Sequence, residues 1–204
     1  MQMKSARRSN AARTGEMRER LLSAGRELFV ARGFADTSTP AIVKKAGVTR
    51  GALYHHFPEK KALFSAALEA EFRAVAAEIG LTVTDGLQPI DQLIAGAKAY
   101  LVAMSFPGRT QLVLIDGPAV LGHTAVTALE APHSEASLSE GVRAAMAADQ
   151  LPKLPQKMLT ALLSAMFEKA AMEVVGGAPV YDAQVVIEAL VRGLSVSPSD
   201  REDV

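Results

Sequence analysis

Residues 37–61 read TSTPAIVKKAGVTRGALYHHFPEKK, and this stretch decides the fold of the N-terminal part of the chain. Ser38 or Thr39 can N-cap a helix that tolerates proline in its first turn, because the N–H that proline lacks would be unpaired there anyway. Gly47 favours the left-handed conformation that ends this helix, and Thr49 can N-cap the next one. The spacing predicts two short helices joined by a glycine turn, which is a helix-turn-helix.

The second of these helices, predicted to run from Arg50 to His56, presents side chains suited to reading DNA. Its N-terminal end points outward in a helix-turn-helix, where it can enter the major groove. Arg50 can pair with both acceptors of a guanine, and the small Gly51 and Ala52 permit close approach to the groove floor. Tyr54 and His56 suit phosphate contacts. The candidate DNA-binding residues of the two helices are Ser38, Thr39, Thr49, Arg50, Gly51, Ala52, Tyr54, His55 and His56.

The formal charge is zero overall, but it is divided unevenly along the chain. Residues 1–61 carry 13 Lys and Arg against 5 Asp and Glu, which gives +8 and leaves −8 for the remainder. A basic segment joined to an acidic one is typical of a nucleic-acid-binding domain attached to a domain that stays off the phosphates. Lys44 and Lys45 lie in the basic segment, either as phosphate contacts or as part of a solvated helix face.

The composition predicts an all-α protein. The chain has 204 residues, of which 49% are hydrophobic and only 5% aromatic, and apolar residues recur at helical spacing. It contains no cysteine, which excludes disulfides, thiolate metal sites and cysteine nucleophiles. The sequence has neither the apolar core of a signal peptide nor a run of eighteen apolar residues, so we expect a soluble cytoplasmic protein without a membrane partner.

Changes in pattern divide the chain into four segments. Residues 1–15 are basic and aperiodic, which predicts a flexible arm that either contacts DNA or stays solvated. Residues 16–62 form the helix-turn-helix domain, residues 63–195 a larger regulatory and dimerisation domain, and residues 196–204 a tail. A long helix predicted over residues 59–79 belongs to both domains.

The larger domain is predicted to consist of further helices separated by proline and glycine. One of them stops near Gly117 and Pro118, and residues 119–135 have no assigned structure because Pro132 interrupts any helix there. The predicted helices span residues 16–32 in the small domain, and 90–106, 109–117, 137–150, 156–175 and 182–193 in the larger one.

Residues 16–73 resemble the DNA-binding domain of the TetR family of transcriptional regulators. The motif AGVTRGALYHHFPEKKALF, which begins at Ala46, carries most of the resemblance, and LVLIDGPAVLG over residues 112–122 is similar to the family's regulatory domain. The residues at the family's spacing are Phe34, Thr37, Ser38, Thr39, Ile42, Gly47, Val48, Tyr54, Phe57 and Lys60.

The resemblance implies a homodimeric repressor that binds a palindromic double-stranded operator and releases it when a small molecule enters the larger domain. It also implies that Lys60, at the start of the long helix, binds a phosphate. Pro40 and Ala41 stand where the family usually carries polar or charged side chains, and Lys61 stands where an acidic residue is common, which makes Lys61 a further candidate for phosphate contact.

The effector is expected to be a small, largely apolar molecule, and its pocket to be lined by side chains of the larger domain. Ordinary core packing is the alternative for each of them. The candidates are Leu101, Met104, Phe106, Leu112, Met146, Met166 and Phe167, with Tyr100, Arg109, Asp116 and His123 as polar contacts.

The last two helices carry apolar faces too extensive for one short partner, and in the resembled family these helices pair across a dimer axis as a four-helix bundle. The candidate interface residues are Leu159, Leu162, Leu163, Met166, Ala170, Glu173, Val185, Val186, Ala189 and Arg192.

Two other classes of protein stay open: a constitutive DNA-binding protein with a closed core, and an all-α enzyme with an incidental helix-turn-helix. Neither a phosphate-binding loop nor a nucleophile motif is present, so we expect no enzymatic activity and no cofactor. His55 and His56 are adjacent on a helix and point about 100° apart, so we expect no metal site there.

Overall fold

The chain folds into helices throughout the part that the structure describes, residues 10–82 and 86–195 of a computed structural model. These residues contain α-helices and two short π-helical segments, and no β-strand occurs within them. The all-α prediction is therefore confirmed. The described helices include none that is both long enough and apolar enough to cross a membrane. Compact packing divides the chain into two units, residues 1–68 and residues 69–204.

The first unit contains α1 (Asn10–Asp36), α2 (Thr39–Ala46), α3 (Arg50–His56) and the beginning of α4 (Lys60–Gly80). Helix α1 begins six residues before the predicted start, so the last part of the predicted flexible arm is helical. Alanine and arginine propagate a helix that is already nucleated, even where no apolar pattern marks it. Residues 1–9 of the predicted arm lie outside the described residues.

An aromatic cluster holds α1 against α4 within this unit. The ring of Phe64 meets Phe29 and Phe34 edge to face, with ring centroids 5.1 and 5.2 Å apart, and such pairs add stability beyond the area they bury. Gly25 allows the two helices to approach, because a Cβ at that position would lie 3.1 Å from Leu63 Cδ2. The helix-turn-helix therefore rests on a rigid support formed by α1 and the start of α4.

The second unit contains the remainder of α4 and the helices that follow it. Helix α5 (Pro89–Met104) packs against α8 (Ala136–Ala147), α9 (Gln156–Val175) and α10 (Val180–Gly193). The bounds of α9 agree with the prediction at both ends, and α10 begins two residues earlier than predicted. The predicted tail, residues 196–204, lies outside the described residues.

Two proline-containing segments predicted to break helices are instead bridged by π-helical turns. Gln111–Asp116 is π-helical and leads into α6 (Gly117–Leu121), so this helix does not stop at Gly117 and Pro118. In the same way, the π-helical Ala131–Glu135 joins α7 (His123–Glu130) to α8, with a kink at His133, whose φ of −119° and ψ of −110° are not helical. Each proline falls in the first turn of its segment, where a missing N–H is tolerated, and the wider turn shifts the hydrogen-bond register around it.

Candidate nucleic-acid interface

Local hydrogen bonds fix the geometry of the turn between α2 and α3. The Ala41 N–H donates to Ser38 Oγ at 3.3 Å, which selects Ser38 over Thr39 as the N-cap of α2. Gly47 adopts the left-handed conformation with φ 61° and ψ 41°, and the Ala52 N–H donates to Thr49 Oγ1 at 3.2 Å to cap α3. The glycine turn and both caps predicted from sequence are confirmed.

A side chain from α1 fastens this turn from outside. The guanidinium of Arg20 donates from Nη2 to the carbonyl of Ala46 at 2.6 Å and to that of Gly47 at 2.9 Å. Carbonyls at a helix C-terminus lack partners within the helix, so this cation satisfies them and complements the helix dipole. Sequence reasoning did not find Arg20 because the contact joins residues 26 and 27 positions apart.

The outer face of α3 carries the predicted reading side chains. Arg50, Gly51 and His55 are exposed, Tyr54 is 41% exposed, and Leu53 is fully buried beneath them. The guanidinium of Arg50 lies 5.4 Å from the centroid of the Tyr54 ring. Hydrogen bonding to Arg50, followed by that to Thr39, lowers the pKa of the Tyr54 hydroxyl. This face therefore presents the Arg50 guanidinium beside the phenol ring of Tyr54, and both side chains are exposed to solvent.

The two histidines at the end of α3 differ in their surroundings. Their rings lie 5.3 Å apart in an edge-to-face arrangement, and His56 is half-buried whereas His55 is exposed. Burial, followed by repulsion from His55 and Arg18, lowers the pKa of His56, so near neutral pH His56 is a neutral donor or acceptor rather than a charge. Among the described residues no group of three or more His, Asp and Glu side chains is placed to hold a metal ion.

The ammonium group of Lys60, for which the resemblance implies a phosphate contact, makes hydrogen bonds within the first unit. Its ammonium donates to the carbonyls of Phe34 at 2.7 Å and Thr37 at 2.8 Å, and its Nζ lies 4.2 Å from the centroid of the Phe34 ring. A third contact reaches the carbonyl of Ala35 at 3.4 Å. An ammonium group has three N–H donors, and here all three are directed at backbone carbonyls at and just after the C-terminal end of α1. Lys61 is exposed on the next position and is the better candidate for a phosphate.

The two adjacent lysines of α2 also separate. Lys45 forms an ion pair with Glu27 at 2.7 Å, and this hydrogen-bonded contact lowers the pKa of Glu27. Lys44 is exposed and has no ion pair with any residue in the described part of the chain. Of the two, Lys44 is therefore the one positioned for solvent or phosphate.

The second unit encloses a cavity of about 450 Å³. It lies among the C-terminal end of α4, one face of α5, the π-helical turn before α8, α8 itself and α9. Its lining residues are Ile79, Gly80, Gln92, Leu93, Gly96, Ala97, Tyr100, Glu130, Ser134, Glu135, Ser137, Leu138, Glu140, Gly141, Ala144, Ser164 and Phe167.

Only Tyr100 and Phe167 of the predicted effector contacts line this cavity. Among the rest, Leu101, Met104 and Leu112 are buried in the core, Met146 and Met166 are half-buried away from the lining, and His123 and Phe106 are exposed. Asp116 accepts a hydrogen bond from Gln111 Nε2 at 2.8 Å. Glu130 and Ser134 were missed because they lie in the segment that had no assigned structure.

Arg109, also predicted to contact the effector, is occupied by a buried ion pair. It is 4% exposed, and its Nε donates to Glu71 Oε2 at 2.7 Å while Nη1 donates to Glu78 Oε1 at 3.0 Å. A buried cation requires such partners, since removing it from water is otherwise costly. Arg109 is therefore a structural residue that ties the chain after α5 to the second half of α4.

Models of known protein families match both units. The family described as bacterial regulatory proteins, tetR family, matches residues 21–67. The tetracyclin repressor-like C-terminal domain matches residues 90–194, which is half of the chain. The chain belongs to the TetR family of transcriptional regulators.

Relatives within the TetR family agree with this assignment. Over 61 residues the chain is 46% identical to the HTH-type transcriptional regulator SrpR of Pseudomonas putida, covering 30% of this chain and 29% of that protein. It is also 46% identical over 61 residues to the uncharacterised HTH-type regulator TtgW of Pseudomonas putida, covering 46% of that protein. The chain thus spans less than half the length of these two curated relatives in each alignment.

Two solved TetR-family structures are similar over almost the full length. A putative regulator from Shewanella sp. PV-4 has a TM-score of 0.74 at 23% identity, covering 89% of this chain and 99% of that one. A regulator from Pectobacterium atrosepticum has a TM-score of 0.71 at 27% identity, covering 94% of this chain and 100% of that one.

The predicted interface residues of this TetR-family chain fall into three groups. Leu159 and Leu163 are 8% and 4% exposed, so they pack in the core of the unit. Ala170 and Met166 are half-buried, and Glu173 is ion-paired with Lys169. The remaining predicted residues, Leu162, Val185, Val186, Ala189 and Arg192, are exposed.

The exposed apolar face of α9 and α10 extends beyond the predicted set. On α9 the exposed apolar side chains include the predicted Leu162 and also Met158, Met172 and Val175, which the prediction left out. Arg192 donates to Asp91 at 3.0 Å and to Glu188 at 2.9 Å beside this face. The large apolar side chains that it exposes are Met158, Leu162, Met172, Val175, Tyr181, Val185, Val186 and Leu190.

Proposed function

We propose that the chain is a homodimeric one-component repressor that binds a palindromic operator through α3 and releases it when a small molecule occupies the cavity of the second unit. The observation that carries this proposal is the cavity itself, whose lining includes Ile79 and Gly80 at the C-terminal end of α4. The same helix begins at Lys60 in the helix-turn-helix unit. A ligand that displaces one end of α4 therefore acts on a helix that both units share.

Operator binding is supported by the exposed face of α3. Arg50 is exposed beside Tyr54 and can reach a guanine in the major groove, while Gly51 carries no side chain that would hold the helix away from the bases. Thr39, Tyr54, Lys44 and Lys61 supply candidate phosphate contacts around it. Ser38 and Thr49 use their hydroxyl groups as helix caps, so their role is to position the helices.

Dimerisation is supported by the exposed apolar face of α9 and α10. A contiguous apolar face of this kind is uncommon on a monomer that lives in water, and an isologous contact between two copies would cover it. A two-fold dimer presents two recognition helices, which matches an operator made of two inverted half-sites. Two half-sites also double the number of phosphate contacts, so we expect steep salt dependence.

The alternative of a constitutive DNA-binding protein predicts a closed core in the larger unit. A cavity of about 450 Å³ lies within the usual range for small-molecule sites, which favours a regulator with an effector. The TetR family is a class of transcription regulators, which supports a regulator over an all-α enzyme.

Selection of binding sites from a random DNA pool with the purified chain tests the proposal directly. We expect enrichment of an inverted repeat that is bound by two chains, as measured by sedimentation of the complex. Enrichment of a single half-site bound by one chain, or no enrichment at any salt concentration, would overturn the proposed mode of binding.

A further inference from the structure

The polar groups around the cavity define the chemistry of its ligand. We propose that the cavity binds an organic cation with an apolar or aromatic body, with the Glu130 carboxylate facing the positive charge and the Tyr100 side chain contacting it. The identification of this ligand as the effector rests on the proposed function, whereas the binding itself does not.

The lining is acidic and has no compensating cation. Glu130, Glu135 and Glu140 contribute carboxyl groups, and none of the lining residues, all of which belong to the described part of the chain, is Lys, Arg or His. Glu140 is exposed and paired with Arg143 at 2.9 Å, so its charge is already balanced. Glu130 accepts only a hydroxyl hydrogen bond, from Ser134 at 2.9 Å. The cavity therefore holds a carboxyl group that lacks a positive partner.

A second carboxyl group lies behind the cavity wall. Glu168 on α9 accepts a hydrogen bond at 3.0 Å from Ser164, which lines the cavity. Burial raises the pKa of Glu168, although the hydrogen bond from Ser164 and the nearby His123 oppose this effect. Both carboxyl groups would be stabilised by a cation in the cavity.

Tyr100 supplies the contact that selects an organic cation over a metal ion. The residue is 9% exposed and lines the cavity, and no described residue forms a hydrogen bond with its hydroxyl group. Its ring and that of Phe167 have centroids 6.5 Å apart, which gives the cavity an aromatic wall. An ammonium group beside such a wall gains a cation–π interaction that strengthens when water is excluded.

The cavity also contains room for an apolar body. Ile79, Leu93, Ala97 and Leu138 line it, and these side chains favour a hydrocarbon or aromatic group. Gly96 and Gly141 leave space that side chains would fill, since a Cβ at Gly141 would lie 3.3 Å from Leu93 Cδ1. A small inorganic cation would leave this apolar surface without contacts.

Protonation of Glu130 provides an independent signature. Burial, followed by repulsion from Glu168 and Glu135, raises the pKa of Glu130 to about 7 although the hydrogen bond from Ser134 opposes it. A bound cation favours the ionised carboxylate, so binding should release a proton and strengthen as the pH rises through about 7. The other titratable groups around Glu130 are Glu135, Glu168, Tyr100 and, beside Glu168, His123.

Calorimetric titration of the full chain, without DNA, compares three ligands of the same shape: benzyltrimethylammonium, neutral neopentylbenzene and anionic phenylmethanesulfonate. We expect the cation to bind about tenfold or more tightly than the neutral compound, and the anion to bind least. Equal or tighter binding of the neutral or anionic compound, or no binding of the cation at millimolar concentration, would overturn the proposal.

Variants assign the effect to Glu130. Glu130→Gln keeps the size and the acceptor for Ser134 but removes the charge, so the preference for the cation should disappear. Glu19→Gln removes the same charge from an exposed side chain of the other unit, and this variant should retain the preference for the cation. Thermal unfolding checks that both variants are folded. A preference that survives in folded Glu130→Gln would contradict the assignment.

The quaternary ammonium does not titrate, so the pH dependence reports on the protein. We expect wild-type affinity for the cation to be about tenfold lower at pH 6 than at pH 8, and to vary little in Glu130→Gln. A pH-independent wild-type affinity would contradict the role of Glu130. If the cation binds but does not release selected DNA, the cation site stands and the proposed effector role fails. If the neutral compound releases DNA and the cation neither binds nor releases it, the cation site fails and the proposed regulation by a small molecule stands.

Discussion

Arg50 is the side chain on which base recognition should depend, because it is exposed at the N-terminal end of α3. Arg50→Ala should weaken operator binding by about 1–3 kcal/mol and relax the choice of one base pair in each half-site. Lys61→Ala is the matched control, since loss of a phosphate contact should weaken all sequences alike and reduce the salt slope by about one. Gel-shift titrations against single-base operator variants measure both effects. Unchanged affinity and base preference in Arg50→Ala would remove it from the reading surface.

Lys60 and Lys61 are neighbours with opposite roles, which makes them a stringent test of the structure. Lys60→Met leaves the carbonyls of Phe34 and Thr37 without their donor, so we expect a loss of about 1–3 kcal/mol in the free energy of unfolding. Lys61→Met removes an exposed ammonium group and should leave stability nearly unchanged. Urea unfolding of the two variants measures both free energies of unfolding. Equal stability would show that Lys60 is not the clasp of α1.

Which residue roles could be predicted depended on distance along the chain. Ser38 and Thr49 each bond to an N–H three residues away, so a local sequence pattern was enough to identify both caps. The contacts of Lys60 lie 26 and 23 residues away, and no local pattern indicates them. The family resemblance suggested a phosphate contact for this lysine, whereas the structure uses its donors internally.

At the scale of elements, the turn between α2 and α3 depends on Gly47. Gly47→Ala should destabilise the first unit by about 1–2 kcal/mol, because its φ is 61° and a side chain in the left-handed region is strained. The added Cβ would also lie 2.7 Å from Arg20 Nη2. Thermal unfolding of the variant measures this loss, and a melting temperature equal to that of the wild type would contradict it.

Gly51→Ala is the matched counterpart inside α3. Gly51 has helical backbone geometry and a Cβ there would meet only Thr49 Oγ1, at 3.9 Å, so we expect stability to rise by about 0.5–1 kcal/mol. The added methyl group should nevertheless weaken operator binding if this face enters the major groove. A variant that is both more stable and equally tight on DNA would place Gly51 outside the interface.

The strongly periodic helices were the most predictable elements. The bounds of α9 could be read from the sequence because proline precedes it and two glycines follow it. The π-helical turns at Gln111–Asp116 and Ala131–Glu135 could not, since proline ordinarily predicts a helix end. That second turn carries Ser134 and Glu135, so part of the cavity lining lies in a segment to which the sequence assigned no structure.

For the whole molecule, assembly should depend on the exposed stripe of α9. Leu162 is 62% exposed, and Leu162→Glu should produce folded monomers because a charge in an apolar interface is costly. Ile115→Glu charges another exposed apolar side chain, on a separate segment, and should leave the dimer intact. Sedimentation velocity distinguishes the two species. A dimeric Leu162→Glu variant would exclude this face from the interface.

The sequence alone revealed the opposite charges of residues 1–61 and of the remainder of the chain, and this asymmetry pointed correctly to a DNA-binding unit. The cavity was less accessible to such reasoning. Leu101, Met104 and Leu112 were reasonable lining candidates by composition, but they are fully or almost fully buried, and a side chain in a helical core gives no local sign of whether it faces a neighbour or a void.

We propose that ligand binding in the cavity and DNA binding through α3 oppose each other through α4, the helix that both units share. Calorimetric titration of benzyltrimethylammonium into the chain, alone and saturated with its selected palindrome, tests this most directly. Linkage requires DNA to weaken ligand binding by the factor by which the ligand weakens DNA binding, and we expect about 5–150-fold, or 1–3 kcal/mol. Equal ligand affinity in the two titrations would show that the two sites are not coupled.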